Sequence, residues 1–132
     1  MIGLDTNVLV RYIAQDDPVQ SPLATRLIES LSIEAPGFVS MVTLVELVWV
    51  LSGCYAAGKA ELCAVLETLL RTKEIQIADA ETAWKALRLF KDSRAGFADC
   101  LIECAGRSAG CEYTASFDRD AVRDCGMRLL VE

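Results

Sequence analysis

Short apolar segments alternate with longer segments of helical patterning along the whole sequence, and this alternation constrains the fold more than any other feature. A chain of alternating strands and helices is typical of a parallel sheet covered by helices. We therefore predict an α/β fold with a parallel sheet. The segments predicted as strands are 1–5, 38–40, 74–77, 113–116 and 128–131. The segments predicted as helices are 6–13, 18–32, 41–53, 58–71, 79–92, 96–107 and 118–124.

The length of 132 residues is close to the usual size of one domain. Apolar residues make up 53% of the chain and charged residues 24%, which argues against disorder. No repeat, low-complexity tract or linker interrupts the sequence, so we predict a single domain over residues 1–132. No segment is long and apolar enough to span a bilayer, and the N-terminus lacks a signal-peptide pattern. We therefore expect a soluble, cytoplasmic protein without membrane contact.

The chain contains no histidine, which removes histidine-based acid–base catalysis, the common Ser-His and Cys-His nucleophile pairs, and histidine metal ligands. Polar chemistry must rest on carboxylates, hydroxyls, Lys or Arg, and a metal would be a hard, oxygen-binding ion. The six cysteines include no C-x-x-C pair. Cys100 and Cys104 share a helical face without two further ligands, so we expect most cysteines to be reduced and to pack as small apolar residues.

The formal net charge of -6 argues against nucleic-acid binding driven by the field of the whole protein. It leaves room for a local basic strip. An acidic balance also suits a protein that concentrates acids in one place.

Asp5 closes the first apolar segment and is followed by Thr6, Asn7 and a segment of helical pattern. This order predicts a buried strand that delivers one carboxylate to its carboxyl end, where ligands bind in open α/β sheets. Thr6 or Asn7 would then cap the following helix. The alternative is that Asp5 itself serves only as the helix cap, since Asp is common at that position.

Glu46 lies within the segment 41–53, a predicted helix that is apolar on almost every side and should therefore be buried. A buried carboxylate is costly unless it is paired or bound to a metal, which makes Glu46 a candidate ligand. The alternative places Glu46 on one exposed stripe of the helix, together with Thr43.

Asp99 and Asp118 are two further acids in unusual surroundings. Asp99 falls in the first turn of a predicted helix, where negative charge is favoured by the helix dipole, and the nearby Gly96 would let a ligand approach closely. Asp118 follows a candidate strand that ends at Ser116, and so repeats the order of strand, acid and helix found at Asp5. The alternatives are dipole stabilisation alone for Asp99 and helix capping alone for Asp118.

Two of these four acids follow predicted parallel strands, and two lie on helices that could pack beside those strand ends. If the four carboxylates converge, they repel one another and raise their pKa values, and divalent cations relieve that repulsion. Mg²⁺ commonly binds through a few carboxylates plus substrate phosphate. Carboxylates that hold such ions support phosphodiester hydrolysis without histidine.

The ordered acidic motifs resemble those of PIN-domain ribonucleases, and the short length with Arg119-Asp120 after the last acid resembles the VapC-type toxins of bacterial toxin–antitoxin pairs. The motifs are Asp5-Thr6-Asn7-Val8-Leu9, Glu46 after an apolar stretch, Gly96-Phe97-Ala98-Asp99 and Ser116-Phe117-Asp118. The resemblance covers essentially the whole chain. It implies a three-layer α/β/α sandwich with a central parallel sheet, Mg²⁺- or Mn²⁺-dependent cleavage of RNA, a homodimer, and inhibition by a cognate antitoxin protein.

The resemblance also implies a role for each matching residue. Asp5 and Asp99 match the principal metal-binding acids, and Glu46 and Asp118 match two further acids that position a metal or its bound water. These four residues are therefore the expected catalytic and metal-binding set. The residues expected to support them by hydrogen bonding near the site are Thr6, Asn7 and Ser116.

Basic residues recur every three positions on one predicted helix and form what we call the basic ridge. Its members are Lys85, Arg88, Lys91 and Arg94. The ridge could contact RNA phosphates at the entrance to an acidic cleft. The alternative is a solvated helix face in which Arg88 pairs with Asp92. The two tryptophans, Trp49 and Trp84, are predicted as core or dimer contacts rather than as base-stacking platforms.

Two other interpretations of the same residues stay open. In an aspartate-based phosphatase or phosphotransfer domain, Asp5 would be phosphorylated. Such a domain needs an Asp two residues after the nucleophile, where this chain has Asn7, and no partner lysine stands out. A non-catalytic binding module of the same fold would act through partner contacts, and its acids would not converge or would not bind metal.

Overall fold

Parallel strands and the helices that connect them make up the structure, a computed structural model that describes residues 1–132. The chain divides into a first unit, Met1–Ala78, and a second unit, Asp79–Glu132. The elements of the first unit are β1 (Ile2–Gly3), α1 (Thr6–Ala14), α2 (Gln20–Glu29), β2 (Gly37–Val39), α3 (Met41–Cys54), α4 (Lys59–Arg71) and β3 (Ile75–Ile77). Those of the second unit are α5 (Ala80–Asp92), α6 (Phe97–Ser108), β4 (Ala115–Ser116), α7 (Arg119–Cys125) and β5 (Arg128–Leu129).

Every strand pair is parallel. In the first unit, β2 is the middle strand and pairs with β1 on one side and β3 on the other. In the second unit, β4 pairs with β5. The α/β class is therefore confirmed, and each predicted strand and helix is present. Four of the five strands are shorter than predicted, and β2 keeps its predicted length of three residues but begins one residue earlier. The single domain predicted over residues 1–132 stays a prediction.

Aliphatic side chains fill the core of the first unit. Leu9 of α1, Leu44 and Leu47 of α3, Leu66 of α4 and Val39 of β2 are each at most 1% exposed. Burying a side chain of this size stabilises the folded state by roughly 1.5–3 kcal/mol. These contacts pack α1 against α3, so residues from the start of the chain lie beside residues from the middle of α3.

The packing of α5 against α6 forms the core of the second unit. Leu87 and Phe90 of α5 are buried, as are Phe97 and Cys100 of α6. The rings of Phe90 and Phe97 meet edge to face, with centroids 5.8 Å apart and an interplanar angle of 70°. This contact holds the first turn of α6 against the end of α5.

The prediction that β1 is buried is wrong. Ile2 is 46% exposed and Gly3 is exposed, whereas Leu4, directly after the strand, is 4% exposed. The physical reason is that β1 is an outer strand with one pairing partner. Burial on both faces is typical of strands inside a parallel sheet.

The prediction that α3 is buried on nearly every side is also wrong. One face is buried, and on the opposite face Val42 is 68% exposed and Trp49 is 79% exposed. Within the first unit, α3 contacts α1 and α4, and these two neighbours cover one face of the helix. Trp49 is therefore not a core residue of the chain, and its alternative role as a dimer contact stays a prediction. Trp84 is half-buried.

All six cysteines are free thiols. Four are buried, as predicted for small apolar packing residues: Cys63, Cys100, Cys104 and Cys125. Cys54 and Cys111 are exposed. None of the helices has the combination of length and apolar character that crossing a membrane requires.

Candidate active site

Asp5 directly follows the first strand and caps α1. The amide of Leu4 still bonds the carbonyl of Phe38 at 2.8 Å, so the sheet ends one residue before the acid. Asp5 has extended backbone angles, and its Oδ1 accepts a hydrogen bond from the amide of Thr6 at 2.7 Å. The cap is thus Asp5, and the predicted caps Thr6 and Asn7 lie inside the helix. The side chain is exposed, and its Oδ2 makes no hydrogen bond.

Thr6 joins the two candidate acids of the first unit. Its amide bonds Asp5, and its hydroxyl donates to Oε1 of Glu46 at 2.7 Å. Thr6 is 8% exposed, so solvent competes weakly for this hydroxyl. Hydrogen bonds to a charged acceptor are about twice as strong as bonds between neutral groups. Thr6 therefore fixes one oxygen of each acid and leaves the other oxygen of each without a hydrogen bond.

Glu46 is exposed, contrary to the prediction that it is buried. The alternative prediction placed Glu46 and Thr43 together on one exposed stripe of the helix. It is correct for Glu46 but wrong for Thr43, which is 8% exposed and accepts a hydrogen bond from the hydroxyl of Ser40 at 3.1 Å. The exposed residues around Glu46 are instead Val42, one turn before it, and Trp49, one turn after it. Because Glu46 reaches solvent, its charge carries a small desolvation penalty.

Asp99 lies in the first turn of α6 and is half-buried. Neither carboxylate oxygen has a hydrogen-bond or ion-pair partner, whereas each of the other three candidate acids has one bonded oxygen. The pKa of Asp99 is raised above its ordinary value of 3.8, mainly because burial disfavours the charged form and also because the charge of Asp118 lies nearby. The second unit therefore brings two predicted site acids within electrostatic reach of each other.

Asp118 stands between β4 and α7, as the predicted order of strand, acid and helix requires. Its Oδ1 accepts hydrogen bonds from the amides of Asp120 at 2.9 Å and Ala121 at 3.3 Å, which caps α7. Its own amide donates to the hydroxyl of Ser116 at 2.9 Å. Ser116 thus supports the turn that carries Asp118, and Oδ2 of Asp118 makes no hydrogen bond.

The four acids share one property: each keeps at least one oxygen free of hydrogen bonds. Carboxylate oxygens are the ligands that Mg²⁺ and Mn²⁺ prefer, so the chemistry of the donors fits such an ion. The position of Asp99 also fits such an ion. Asp99 has no partner and lies near the charge of Asp118, and a cation relieves the repulsion between the two carboxylates. No three acidic or cysteine side chains are grouped closely enough to hold an ion by themselves. The site of four acids stays a prediction.

Asn7, the third predicted supporting residue, is exposed and makes no hydrogen bond to Asp5. It lines a cleft of about 290 Å³ between α1 and α2, together with Arg11 and Gln20. Arg11 donates to the side chain of Gln20 at 2.8 Å and pairs with Asp16 at 3.3 Å. The predicted supporting role of Asn7 stays untested.

All four residues of the basic ridge are exposed. The prediction that they share one helix is wrong for Arg94, because α5 ends at Asp92. Lys85 pairs with Glu81 at 3.5 Å, and Arg88 forms no ion pair with Asp92, contrary to the alternative interpretation. The ridge ends at an open cleft of about 540 Å³. Lys91 and Arg94 line this cleft together with Arg123 of α7.

A family comparison identifies the fold. The model of the PIN domain matches residues 2–124. The chain belongs to the PIN-domain family. PIN domains are typically metal-dependent nucleases that bind Mg²⁺ or Mn²⁺. The matched range contains all four candidate acids of this PIN domain, from Asp5 to Asp118. No curated protein sequence matches the chain.

Two charged residues of this PIN domain were not predicted from the sequence. Glu103 is 2% exposed, its Oε1 accepts from Nε of Arg107 at 2.8 Å, and its Oε2 is buried without a partner. Glu103 lies four residues after Asp99 and four residues before Arg107, and this spacing in the sequence indicates that the three residues share one face of the helix. Arg123 is the α7 residue beside the end of the basic ridge, and it bonds Asp120 and Asp124. Only the tertiary structure reveals that position.

Proposed function

We propose that this PIN domain is a Mg²⁺- or Mn²⁺-dependent endoribonuclease. The observation that carries the proposal is Asp99, a half-buried carboxylate without a hydrogen-bond partner whose pKa is raised by burial and by the charge of Asp118. An acid in that state is unfavourable for the free protein and suited to a cation. The family match over residues 2–124 supports the same conclusion.

In the proposed site, the free oxygens of Asp5 and Asp99 would hold the ion. When bound, the metal would lower the pKa of a coordinated water and stabilise the charge that develops during attack on phosphorus. Glu46, oriented by the hydroxyl of Thr6, would accept a hydrogen bond from the attacking water. Asp118, held by its cap to α7, would position that water or the ion. Cleavage would leave the phosphate on the downstream product and a hydroxyl on the upstream product.

We further propose that the protein is the toxin of a toxin–antitoxin pair, that it acts as a homodimer, and that a cognate antitoxin protein inhibits it. Support comes from the resemblance of the acidic motifs and of the Arg119-Asp120 continuation to VapC-type toxins. Induced expression in a bacterial host provides the test. The wild type should arrest growth and Asp99→Asn should not, and equal growth of the two strains would contradict the toxin role.

The enzymatic proposal is tested by cleavage of purified RNA in Mg²⁺, in Mn²⁺ and in excess chelator. The wild type should cleave with either ion and not in chelator, and Asp99→Asn should fall to the chelator background. The matched control is Asp79→Asn, an exposed acid of the same unit whose side chain makes no capping hydrogen bond. Its φ of 50° is tolerated by Asn, so this variant should cleave like the wild type.

The possible outcomes separate the candidate functions. Equal cleavage with and without chelator would contradict the metal mechanism. Equal cleavage by the wild type and Asp99→Asn would remove Asp99 from the site. Metal binding without cleavage of any RNA would favour the non-catalytic binding module.

A further inference from the structure

The second unit contains an open cleft that none of the four candidate acids lines. Its volume is about 420 Å³, and residues of α6, α7 and β5 form its walls. Small-molecule sites in proteins commonly have volumes of about 300–1,000 Å³. Asp99 lies in the first turn of α6 and Asp118 caps α7, whereas the cleft is lined by later residues of both helices. It is therefore a second candidate site, separate from the proposed metal site.

Glu103 forms part of the floor of this cleft and carries a buried oxygen without a partner. The residue is 2% exposed, although the cleft that it lines is open. Its Oε1 accepts a hydrogen bond from Nε of Arg107 at 2.8 Å, whereas its Oε2 has no hydrogen-bond partner. Burying a carboxylate oxygen without a donor is unfavourable. A ligand that brings a donor to Oε2 removes this cost, so the cleft favours a ligand with a donor group.

Two arginines of the same cleft have unused donors. A Cβ atom on Gly126 would lie 3.7 Å from Nη2 of Arg107, so this guanidinium lies beside the end of α7. The guanidinium of Arg128 stacks on the ring of Tyr113, 3.8 Å from its centroid, and forms no ion pair. Stacking uses the face of a guanidinium and leaves the N–H donors at its edge for an anion. The amide of Arg128 bonds the carbonyl of Thr114 at 2.8 Å, which fixes the backbone that carries this donor.

The charges of the cleft balance. Its carboxylates belong to Glu103 and the exposed Glu112, and its guanidinium groups belong to the two arginines. A metal ion would meet both guanidinium groups and a phosphate would meet both carboxylates, so each would face like charge. A ligand that carries one charge of each sign fits better. Three side chains form what we call the apolar wall of the cleft: Val122, Met127 and Leu129.

We propose that this cleft binds a free α-amino acid with an apolar side chain. The ammonium group of the ligand donates to Glu103, its carboxylate accepts from Arg107 and Arg128, and its side chain lies against the apolar wall. An ammonium group has three donors, so it can bond both oxygens of Glu103. The side chain of Arg107 is 71% exposed and can therefore turn from Glu103 toward the ligand carboxylate without losing buried packing. The site does not depend on the proposed nuclease activity.

Isothermal titration calorimetry with L-leucine tests the site. The matched probes are L-leucinamide, which lacks the carboxylate, and N-acetyl-L-leucine, which lacks the ammonium group. All titrations contain chelator, so that no metal contributes to the heat. The wild type should bind L-leucine at one site per chain. Each altered probe should bind at least about tenfold more weakly, because each loses a charge-assisted hydrogen bond.

Substitutions identify which residue binds which end of the ligand. Glu103→Gln keeps the shape of the side chain and removes its charge, so it should weaken L-leucine binding at least about tenfold and leave N-acetyl-L-leucine binding unchanged. Arg128→Gln should weaken L-leucine binding by a similar factor and leave L-leucinamide binding unchanged. The control is Glu34→Gln, which alters an exposed acid of the first unit and should bind like the wild type.

Thermal unfolding without ligand checks that each variant is folded. Because Arg128 is exposed, Arg128→Gln tests the site even if Glu103→Gln does not fold. A folded wild type that gives no saturable heat with millimolar L-leucine would overturn the proposal. Binding of L-leucine that either folded variant leaves unchanged would also overturn it, because the ligand would then lie elsewhere. Equal affinity for L-leucine and both altered probes would show binding through the apolar side chain alone and contradict the proposed contacts.

Discussion

At Asp5 and Asp118, helix capping occupies one carboxylate oxygen and leaves the other for the proposed metal ion. Each acid uses Oδ1 for the amides at the start of the following helix, and Oδ2 stays without a hydrogen bond. The capping interaction fixes the side chain, so the second oxygen is held in place. Capping alone therefore explains the role of only one of the two oxygens in each carboxylate.

Asp118→Asn and Asp118→Ala separate the two roles. Asn is as good a helix cap as Asp, so Asp118→Asn should keep the stability of the protein and lose metal-dependent cleavage. Asp118→Ala should lose the cleavage and also about 1 kcal/mol of stability. Chemical denaturation and RNA cleavage check the pair. If Asp118→Asn keeps full activity, the negative charge of Asp118 has no part in the reaction.

Substitutions of Thr6 test whether its hydroxyl is needed to orient Glu46. Thr6→Val keeps the shape of the side chain and removes the hydroxyl that donates to Glu46, whereas Thr6→Ser keeps the hydroxyl. Loss of a hydrogen bond that orients a ligand typically lowers metal affinity or activity by about 10–100-fold. We expect that loss in Thr6→Val and near-normal cleavage in Thr6→Ser. Equal cleavage rates of the two variants would show that the hydroxyl is dispensable.

The raised pKa of Asp99 predicts a gain of stability when its charge is removed. A carboxyl whose pKa is raised on folding disfavours the folded state once pH exceeds that pKa, because the folded protein binds the proton more tightly. In chelator at neutral pH, Asp99→Asn should therefore melt at a higher temperature than the wild type. The difference should shrink as pH falls toward 3.8, the ordinary pKa of the group. A lower melting temperature for Asp99→Asn at neutral pH would contradict this account.

At the scale of elements, α3 carries the largest difference between expectation and structure. Its exposed face holds Val42 and Trp49, so both faces of the helix are apolar and the sequence pattern alone predicts burial all round. The buried face of an amphipathic helix can be recognised because apolar residues recur on that face and polar residues on the other. In α3 both faces are apolar, so the sequence does not indicate which one is buried. The alternation of strands and helices along the chain was predictable because local apolar runs and turn residues determine it.

Other features could not be predicted because they join distant parts of the chain. The bond from Thr6 to Glu46 connects residues 40 positions apart. The burial of Glu103 depends on the packing of α6, and the position of Arg123 beside Lys91 and Arg94 depends on how α7 packs in its unit. Three of the four candidate acids stand at the local positions that the sequence predicted: Asp5 and Asp118 at helix caps and Asp99 in a first turn. Glu46 was selected for a burial that the structure does not have, and the site of four acids stays a prediction.

Trp49 tests whether the exposed face of α3 belongs to the proposed homodimer. Because Trp49 is 79% exposed, Trp49→Gln should change the stability of the folded chain by no more than about 0.5 kcal/mol. If the face is a dimer contact, the same substitution should shift sedimentation toward the monomer. A dimer of unchanged affinity in Trp49→Gln would place the contact elsewhere.

At the scale of the whole molecule, the net charge of -6 and the absence of histidine limit how an RNA could be bound and cut. An acidic protein repels phosphate at long range, so affinity must come from local contacts and from cations. The exposed basic ridge is the proposed source of such local contacts. Divalent ions would supply both the catalysis and part of the charge compensation.

We proposed that Asp5 and Asp99 bind the same metal ion, and calorimetric titration of Mn²⁺ tests this proposal most directly. The proteins to compare are the wild type, Asp5→Asn from the first unit, Asp99→Asn from the second, and the control Asp79→Asn. The wild type and the control should bind Mn²⁺, and either site substitution should abolish this binding or weaken it at least about tenfold. Binding that is lost in Asp99→Asn and fully retained in Asp5→Asn would contradict it.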